Sequence, residues 1–258
     1  MGMRMTRLPG IHHDANCVVV QGEASVLLID AGTSWYQALQ IERILGLLSD
    51  DVHPEHLLLT SRRYPFSGAA AHFVEQWPAL RVHVGEAGVS ALETGDFFST
   101  WANRYDSDMP SVQAEAIADG DLIALGDGGV QAMALPGHAP EGLGYLVEDR
   151  STAVVGAALP RADLPARLDL PGSSLLDHVE SLKRLASLEL DALVPMRGPA
   201  IRGQHHVRDV LARHVSHFEQ VLDDEGRRPR GWARPAPSAM WMTPRDPWPL
   251  EEREQPTG

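Results

Sequence analysis

The sequence predicts an α/β fold, an αβ/βα sandwich in which two mixed β-sheets are flanked by helices. Two observations carry it. Apolar runs of strand length alternate with longer amphipathic segments, and the alternation occurs twice: strands, helix, strand, helix, strand, then more strands, helix, strand, helix. No stretch rich enough in linker residues to split the chain occurs before Asp223. A chain of 258 residues with 43% hydrophobic content is long enough to bury a substantial core without disulfides or a structural metal.

The elements follow in order. Asn16 to Val20 and Ser25 to Ile29 read as a hairpin over Gln21 to Ala24, closed by Asp30-Ala31-Gly32. Trp35 to Leu48 has helical spacing, with Leu39, Ile44, Leu47 and Leu48 on one apolar side. Leu57 to Leu59 reads as a buried strand, Thr60 to Ser67 as the loop at its carboxyl end, and Gly68 to Gln76 as a helix that stops ahead of Pro78. Ligands of open sheets tend to sit beyond the carboxyl ends of strands, which places chemistry at that loop. Arg81 to Val84 is a strand and Gly85 to Leu92 a short helix. Phe97 to Ser111 is aperiodic but holds Phe98, Trp101, Tyr105 and Met109, which either cap a core or line a pocket.

Asp121 to Leu125 and Val130 to Ala134 flank a glycine-rich turn and form a second hairpin. Leu143 to Glu148 and Thr152 to Ala157 form a third, turning at Asp149-Arg150. Leu159 to Ser173 is a connection rich in Pro and Asp. Ser173 or Ser174 can cap the next helix by accepting a free amide hydrogen. Asp191 to Pro195 is the last strand. Gln204 to about Leu222 is the last helix, burying Val207, Val210, Leu211, Val215 and Phe218. Residues 1–225 are thus expected as one domain and 226–258 as a tail holding Trp232, Trp241 and Trp248. Its prolines recur too often for a regular helix, and it is expected to pack on the domain or on a partner subunit.

A formal charge of −13 argues against wholesale nucleic-acid binding. No apolar run is long enough to span a bilayer, and the first ten residues lack a secretion signal. The single cysteine, Cys17, is expected to be a buried strand residue. The expected setting is cytoplasmic, with no membrane partner and a homodimer as the candidate assembly.

Cys17 to Gly32, Leu57 to Ala71, Ala134 to Gly142, Ala153 to Ala157 and Ala192 to Ile201 together resemble the metallo-beta-lactamase fold superfamily, over roughly Asn16 to His217. The resemblance implies the sandwich fold, and hydrolysis of esters, thioesters or lactones as the commonest chemistry. It also implies a Thr-His-x-His-x-Asp-His loop holding one or two metals. In this chain the ligand positions of that loop are Ser61, Arg63, Pro65 and Phe66. His138, in Leu135 to Pro140, matches a retained ligand, while the two remaining ligand positions are Ala157 and Arg197. Asp30 matches an aspartate that braces the site loops in the family.

A lone histidine cannot hold a catalytic zinc, and arginine offers a cation no lone pair, so neither metal nor other cofactor is expected. Neighbouring residues do not obviously rebuild a site: His12 and His13 on an extended segment point apart, as do His205 and His206 on a helix, and His83 is the remaining option. Arg62, Arg63 and Arg197 suit a carboxylate, phosphate or enolate, or else pair with Asp30 and other acids. For chemistry without metal the candidates are His138 as acid or base, Tyr64 or Tyr105 as proton donor, Ser61 as a weak nucleophile, and Glu141 as base or as orienting group for His138. His12, His13, Asp30 and Trp101 complete the expected ligand-binding set. The expected function is metal-independent binding of a small anionic or aromatic metabolite, with turnover of lyase, cyclase or dehydratase type left open. The alternatives are a hydrolase of an ester, thioester or lactone, and a non-catalytic structural or regulatory subunit.

Overall fold

The computed structural model describes residues 2–147 and 151–224. The Asp149-Arg150 turn and the tail at 226–258 lie outside the described residues. The first half of the chain runs β1 (Arg4–Leu8), β2 (Cys17–Gln21), β3 (Val26–Ile29), α1 (Gln37–Leu45), β4 (Pro54–Leu58), α2 (Tyr64–Ser67), α3 (Ala70–Gln76), β5 (Arg81–Val84), α4 (Glu86–Glu93) and β6 (Glu115–Ala116). The second half runs β7 (Leu122–Ala124), β8 (Gly129–Ala134), β9 (Leu143–Val147), β10 (Thr152–Gly156), α5 (Leu175–Ala186), β11 (Ala192–Pro195), β12 (Ile201–Arg202) and α6 (Gln204–Asp223). The strands form two six-stranded sheets, ordered β1-β2-β3-β4-β5-β6 and β12-β11-β10-β9-β8-β7. Both are mixed: β2–β3 is antiparallel and β3–β4 parallel, and likewise β9–β10 antiparallel and β10–β11 parallel.

Alternation along the strands makes the layers. Val18, Val20, Leu27, Ile29 and Leu58 meet Val130, Tyr145, Val154 and Val194 between the sheets. Their neighbours Cys17, Val19, Leu28 and Leu57 turn outward onto Ile44 and Phe73 of the first helical layer. Ala153, Val155 and Leu193 do the same against Leu182, Val210 and Phe218. Strands covered on both faces must be apolar at every position, which is why they read as continuous Val/Leu/Ile runs.

Some expectations are corrected. The loop expected over Thr60 to Ser67 already turns helical at Tyr64, because Arg63 is extended (ψ 142°) and Pro65 sits in the first turn, where its missing N–H is not needed. The helix expected from Gly68 begins at Ala70. Leu39 is 45% exposed, and the buried positions of α1 are Gln40 and Ile44. The short strands β1, β6 and β12 were not anticipated. Ser174, not Ser173, caps α5, its hydroxyl accepting the Asp177 N–H at 3.2 Å. Among the described residues no helix is long and apolar enough to cross a membrane.

The two sheets come together at the carboxyl ends of β4 and β10. Gly156 has φ +42°, and a Cβ there would lie 2.0 Å from Thr60 Oγ1, so only glycine permits the approach.

Candidate functional site

Beyond β4 the chain is held by a buried aspartate. Asp30, at φ +59°, accepts the Thr60 N–H and hydroxyl, each at 2.8 Å. Burial pushes its carboxyl up to about 8, against the pull of the two Thr60 hydrogen bonds. The next residues are fixed from the opposite sheet by Glu141. Its carboxylate accepts the Ser61 hydroxyl at 3.2 Å, the Arg62 N–H at 2.9 Å and Arg62 Nη1 at 2.7 Å, in a buried ion pair. Arg62 also donates to the carbonyls of Ser99 and Ala87. Ser61, Arg62 and Glu141 thus form a cluster of their own, and none of them lines the cavity described next. Arg62 has its carboxylate partner in Glu141; Asp30 is engaged by Thr60.

Beside that cluster lies a cavity of about 260 Å³. It is walled by Arg63, Pro65 and Phe66 of the α2 turn, His138, Ala157, the Pro160–Leu170 connection, Trp101, Tyr105, and Met196–Gly198. Every residue matching a family ligand position, Ser61 excepted, faces this one space. The connection after Leu159 supplies a wall that sequence reasoning treated only as a linker. Its signal is a repeated Arg-x-Asp: Arg161 is bidentate on Asp163, and Arg167 on Asp169. Arg167 also lies over the Trp101 ring, 5.0 Å from its centre. Trp101 itself holds a left-handed φ of +68°, an outlier for so bulky a residue.

The lining contains four arginines and a histidine, and no Asp or Glu. Arg161 and Arg167 are neutralised by their own aspartates. Arg63 is 2% exposed, donates to the carbonyls of Ser99 (2.8 Å) and Pro171 (2.5 Å), and has no carboxylate partner among the described residues. Burial lowers its pKa to about 10, so it stays charged at neutral pH. Arg197 donates Nε to the Asp14 carbonyl at 3.3 Å and Nη2 to the His13 carbonyl, leaving Nη1 without a hydrogen bond among the described residues.

His138 sits among these cations. Its Nδ1 is 3.0 Å from the Arg167 carbonyl, which can only accept, so the proton is on Nδ1 and the lone pair on Nε2. Burial, and then the charge of Arg63, push the imidazole down to about 3. It is therefore neutral, with Nε2 making no hydrogen bond among the described residues.

The remaining expected residues lie around this centre. Tyr105 lines the cavity and is held protonated by burial. The Tyr64 hydroxyl is taken up by Ser34 (2.7 Å) and Ser107 (2.6 Å) and does not reach the cavity. His13 packs edge-on to Tyr105 at 5.7 Å, while His12 stacks on Tyr36 at 5.4 Å. His83 pairs with His56 at 3.0 Å, and His205 with Asp209 at 3.0 Å on α6; neither joins His138. Among the described residues no group of three His, Cys, Asp or Glu could hold a metal ion. One imidazole facing two guanidiniums that form no ion pair among the described residues does not fit a zinc or iron centre.

The model of the metallo-beta-lactamase superfamily matches residues 11–197. The chain belongs to the metallo-beta-lactamase superfamily. As a superfamily member it is 29% identical to an acyl-coenzyme A thioesterase, MBLAC2, of Gallus gallus over 194 residues, covering 67% of each chain. It is 24% identical over 241 residues to the lactamase-like protein nscB of Neosartorya fischeri, covering 86% of this chain and 65% of that one. A motif mutant of the metallo-beta-lactamase from Cronobacter sakazakii shares the superfamily fold with a TM-score of 0.68 at 16% identity, covering 87% of this chain and 98% of that one. TTHA1623, in a di-iron-bound form, does so with a TM-score of 0.63 at 24% identity, covering 81% and 98%. These structural likenesses speak to the fold alone.

Proposed function

We propose that this protein is a metal-independent acyl hydrolase, acting on a small ester or thioester held in the cationic cavity. The observation that carries the reading is His138: a neutral imidazole with its proton fixed on Nδ1 and its Nε2 lone pair unengaged, in a cavity whose charge is positive. The chain's likeness to an acyl-coenzyme A thioesterase supports the hydrolytic choice.

The chemistry uses only side chains. A water molecule attacks the acyl carbon while its proton passes to Nε2. The carbonyl oxygen becomes an oxyanion in the field of the buried Arg63 guanidinium, which is fixed by two backbone carbonyls and needs no rearrangement. Collapse of the tetrahedral intermediate breaks the C–O or C–S bond, and the leaving alkoxide or thiolate takes the proton back from Nε2. A base held as low as about 3 is weak, so slow turnover is expected. A second reading, acid–base elimination or cyclisation, is favoured by protonated Tyr105 in the same cavity and differs in needing no water.

The test is release of 4-nitrophenol from 4-nitrophenyl butyrate, and of thiol from a butyryl thioester, in chelator. Wild type is expected to turn over both, and His138→Gln to lose about 100-fold or more. Full activity in His138→Gln, or activity that vanishes with chelator, overturns the reading.

A further inference from the structure

We propose that the substrate carries a permanent carboxylate in addition to its scissile acyl group: a half-ester or half-thioester of a short dicarboxylic acid, its free carboxylate held by Arg197. The inference rests on the hydrolase reading for the reaction, but not for the binding.

Charge accounting comes first. Of the four arginines on the cavity, two have aspartate partners within their own segment, and Arg63 and Arg197 form no ion pair among the described residues. Arg63 is buried and Arg197 half-buried; Glu141 and Asp169 act on the first and Asp14 on the second without contacting them, so a neutral ester would leave both without a contacting anion in the ground state. One developing oxyanion occupies one guanidinium, and only in the transition state. The second needs an anion that is present from the start.

Position then divides the roles. Arg63 reaches the Pro171 carbonyl, and His138 is bound to the same short segment through Ser173, whose hydroxyl donates to the His138 carbonyl at 2.8 Å. Arg63 therefore belongs to the reacting end. Arg197 is tied instead to the carbonyls of His13 and Asp14, and among the described residues its Nη1 has no hydrogen bond. A single available guanidinium nitrogen, beside an Arg161 already bidentate on Asp163, matches one carboxylate oxygen better than a phosphate, which gains most from several donors.

Size and lining complete the class. Phe66, Leu164, Leu170 and Met196 give the space apolar walls that suit a methylene chain. A volume of about 260 Å³ is below the roughly 300–1,000 Å³ of sites for drug-sized ligands, so the acyl chain is short.

The test compares mono(4-nitrophenyl) glutarate with its neutral counterpart 4-nitrophenyl valerate on the full chain. Wild type is expected to favour the glutarate by about ten-fold or more in kcat/KM, and the preference to fall toward unity in Arg197→Met. Equal use of both esters by wild type, or a preference that survives in folded Arg197→Met, overturns the proposal. Calorimetric binding of glutarate against neutral pentanamide tests the carboxylate site where neither ester is turned over. Stronger glutarate binding that Arg197→Met abolishes supports the site with hydrolysis refuted, and equal binding overturns it. Should Arg197→Met not fold, the wild-type comparisons decide by themselves.

Discussion

At Glu141 one carboxylate serves three donors from two consecutive residues, Ser61 and Arg62. Glu141→Ala leaves Arg62 buried without its partner and should destabilise the fold by about 3–5 kcal/mol, read as a lower urea midpoint. Glu141→Gln, which keeps an acceptor, should lose less. An unchanged midpoint with lost turnover would instead place Glu141 in the chemistry. The sequence shows Glu141 three positions from His138, but not which way its side chain leaves the turn, and that direction separates an orienting acid from an anchor. The same holds for Arg62 and Arg63: adjacent and chemically identical, they differ only in what each can reach, one a carboxylate and the other two carbonyls. His138 was legible because its Pro-Gly-His segment is retained whole. Its tautomer depends on a carbonyl 29 residues away in the chain.

Among the elements, β10 carries the tightest constraint. Its terminal Gly156 touches Thr60 of the other sheet at a distance no side chain allows, in a left-handed conformation besides. Gly156→Ala should destabilise by more than about 1 kcal/mol, seen as a lower Tm. A neutral result would mean that the sheets can part there without loss. Strands covered on both faces were readable as apolar runs, and α5 and α6 as amphipathic periods. The short strands β1, β6 and β12 were not, since segments as brief as Glu115–Ala116 carry no periodicity and form only because a neighbour offers free backbone groups. The Leu159 to Ser173 stretch was opaque for a related reason: ion pairs and proline geometry hold it, and neither repeats at a helical or strand period.

For the molecule as a whole, buried titratable groups set a stability optimum. His138 and His178 are pushed down to about 3 and His83 and His214 to about 4, in each case by burial first. Below the unfolded value near 6.5 the unfolded chain binds protons that the folded chain refuses, so stability falls with pH, by about 1.4 kcal/mol per unit for each histidine. Asp30 acts oppositely: raised to about 8, it favours the folded state at low pH and loses that contribution as pH rises from about 4 to 8. The four histidines outweigh it below pH 6.5, and above that Asp30 prevails, giving a maximum near pH 6.5 in the urea midpoint. A midpoint flat from pH 4.5 to 6.5 would contradict this assignment. The sheet architecture was legible wherever it is written in hydrophobic spacing, which leaves out only the short edge strands. The sign of the cavity was half legible, since sequence reports which arginines arrive but not which acids stay away. On the proposed reading, a centre whose positive charge belongs to the polypeptide would be complete as soon as the chain folds. Such a protein would need no loading step in its maturation, could not be populated by the wrong ion, and would not depend on how much zinc or iron its surroundings supply.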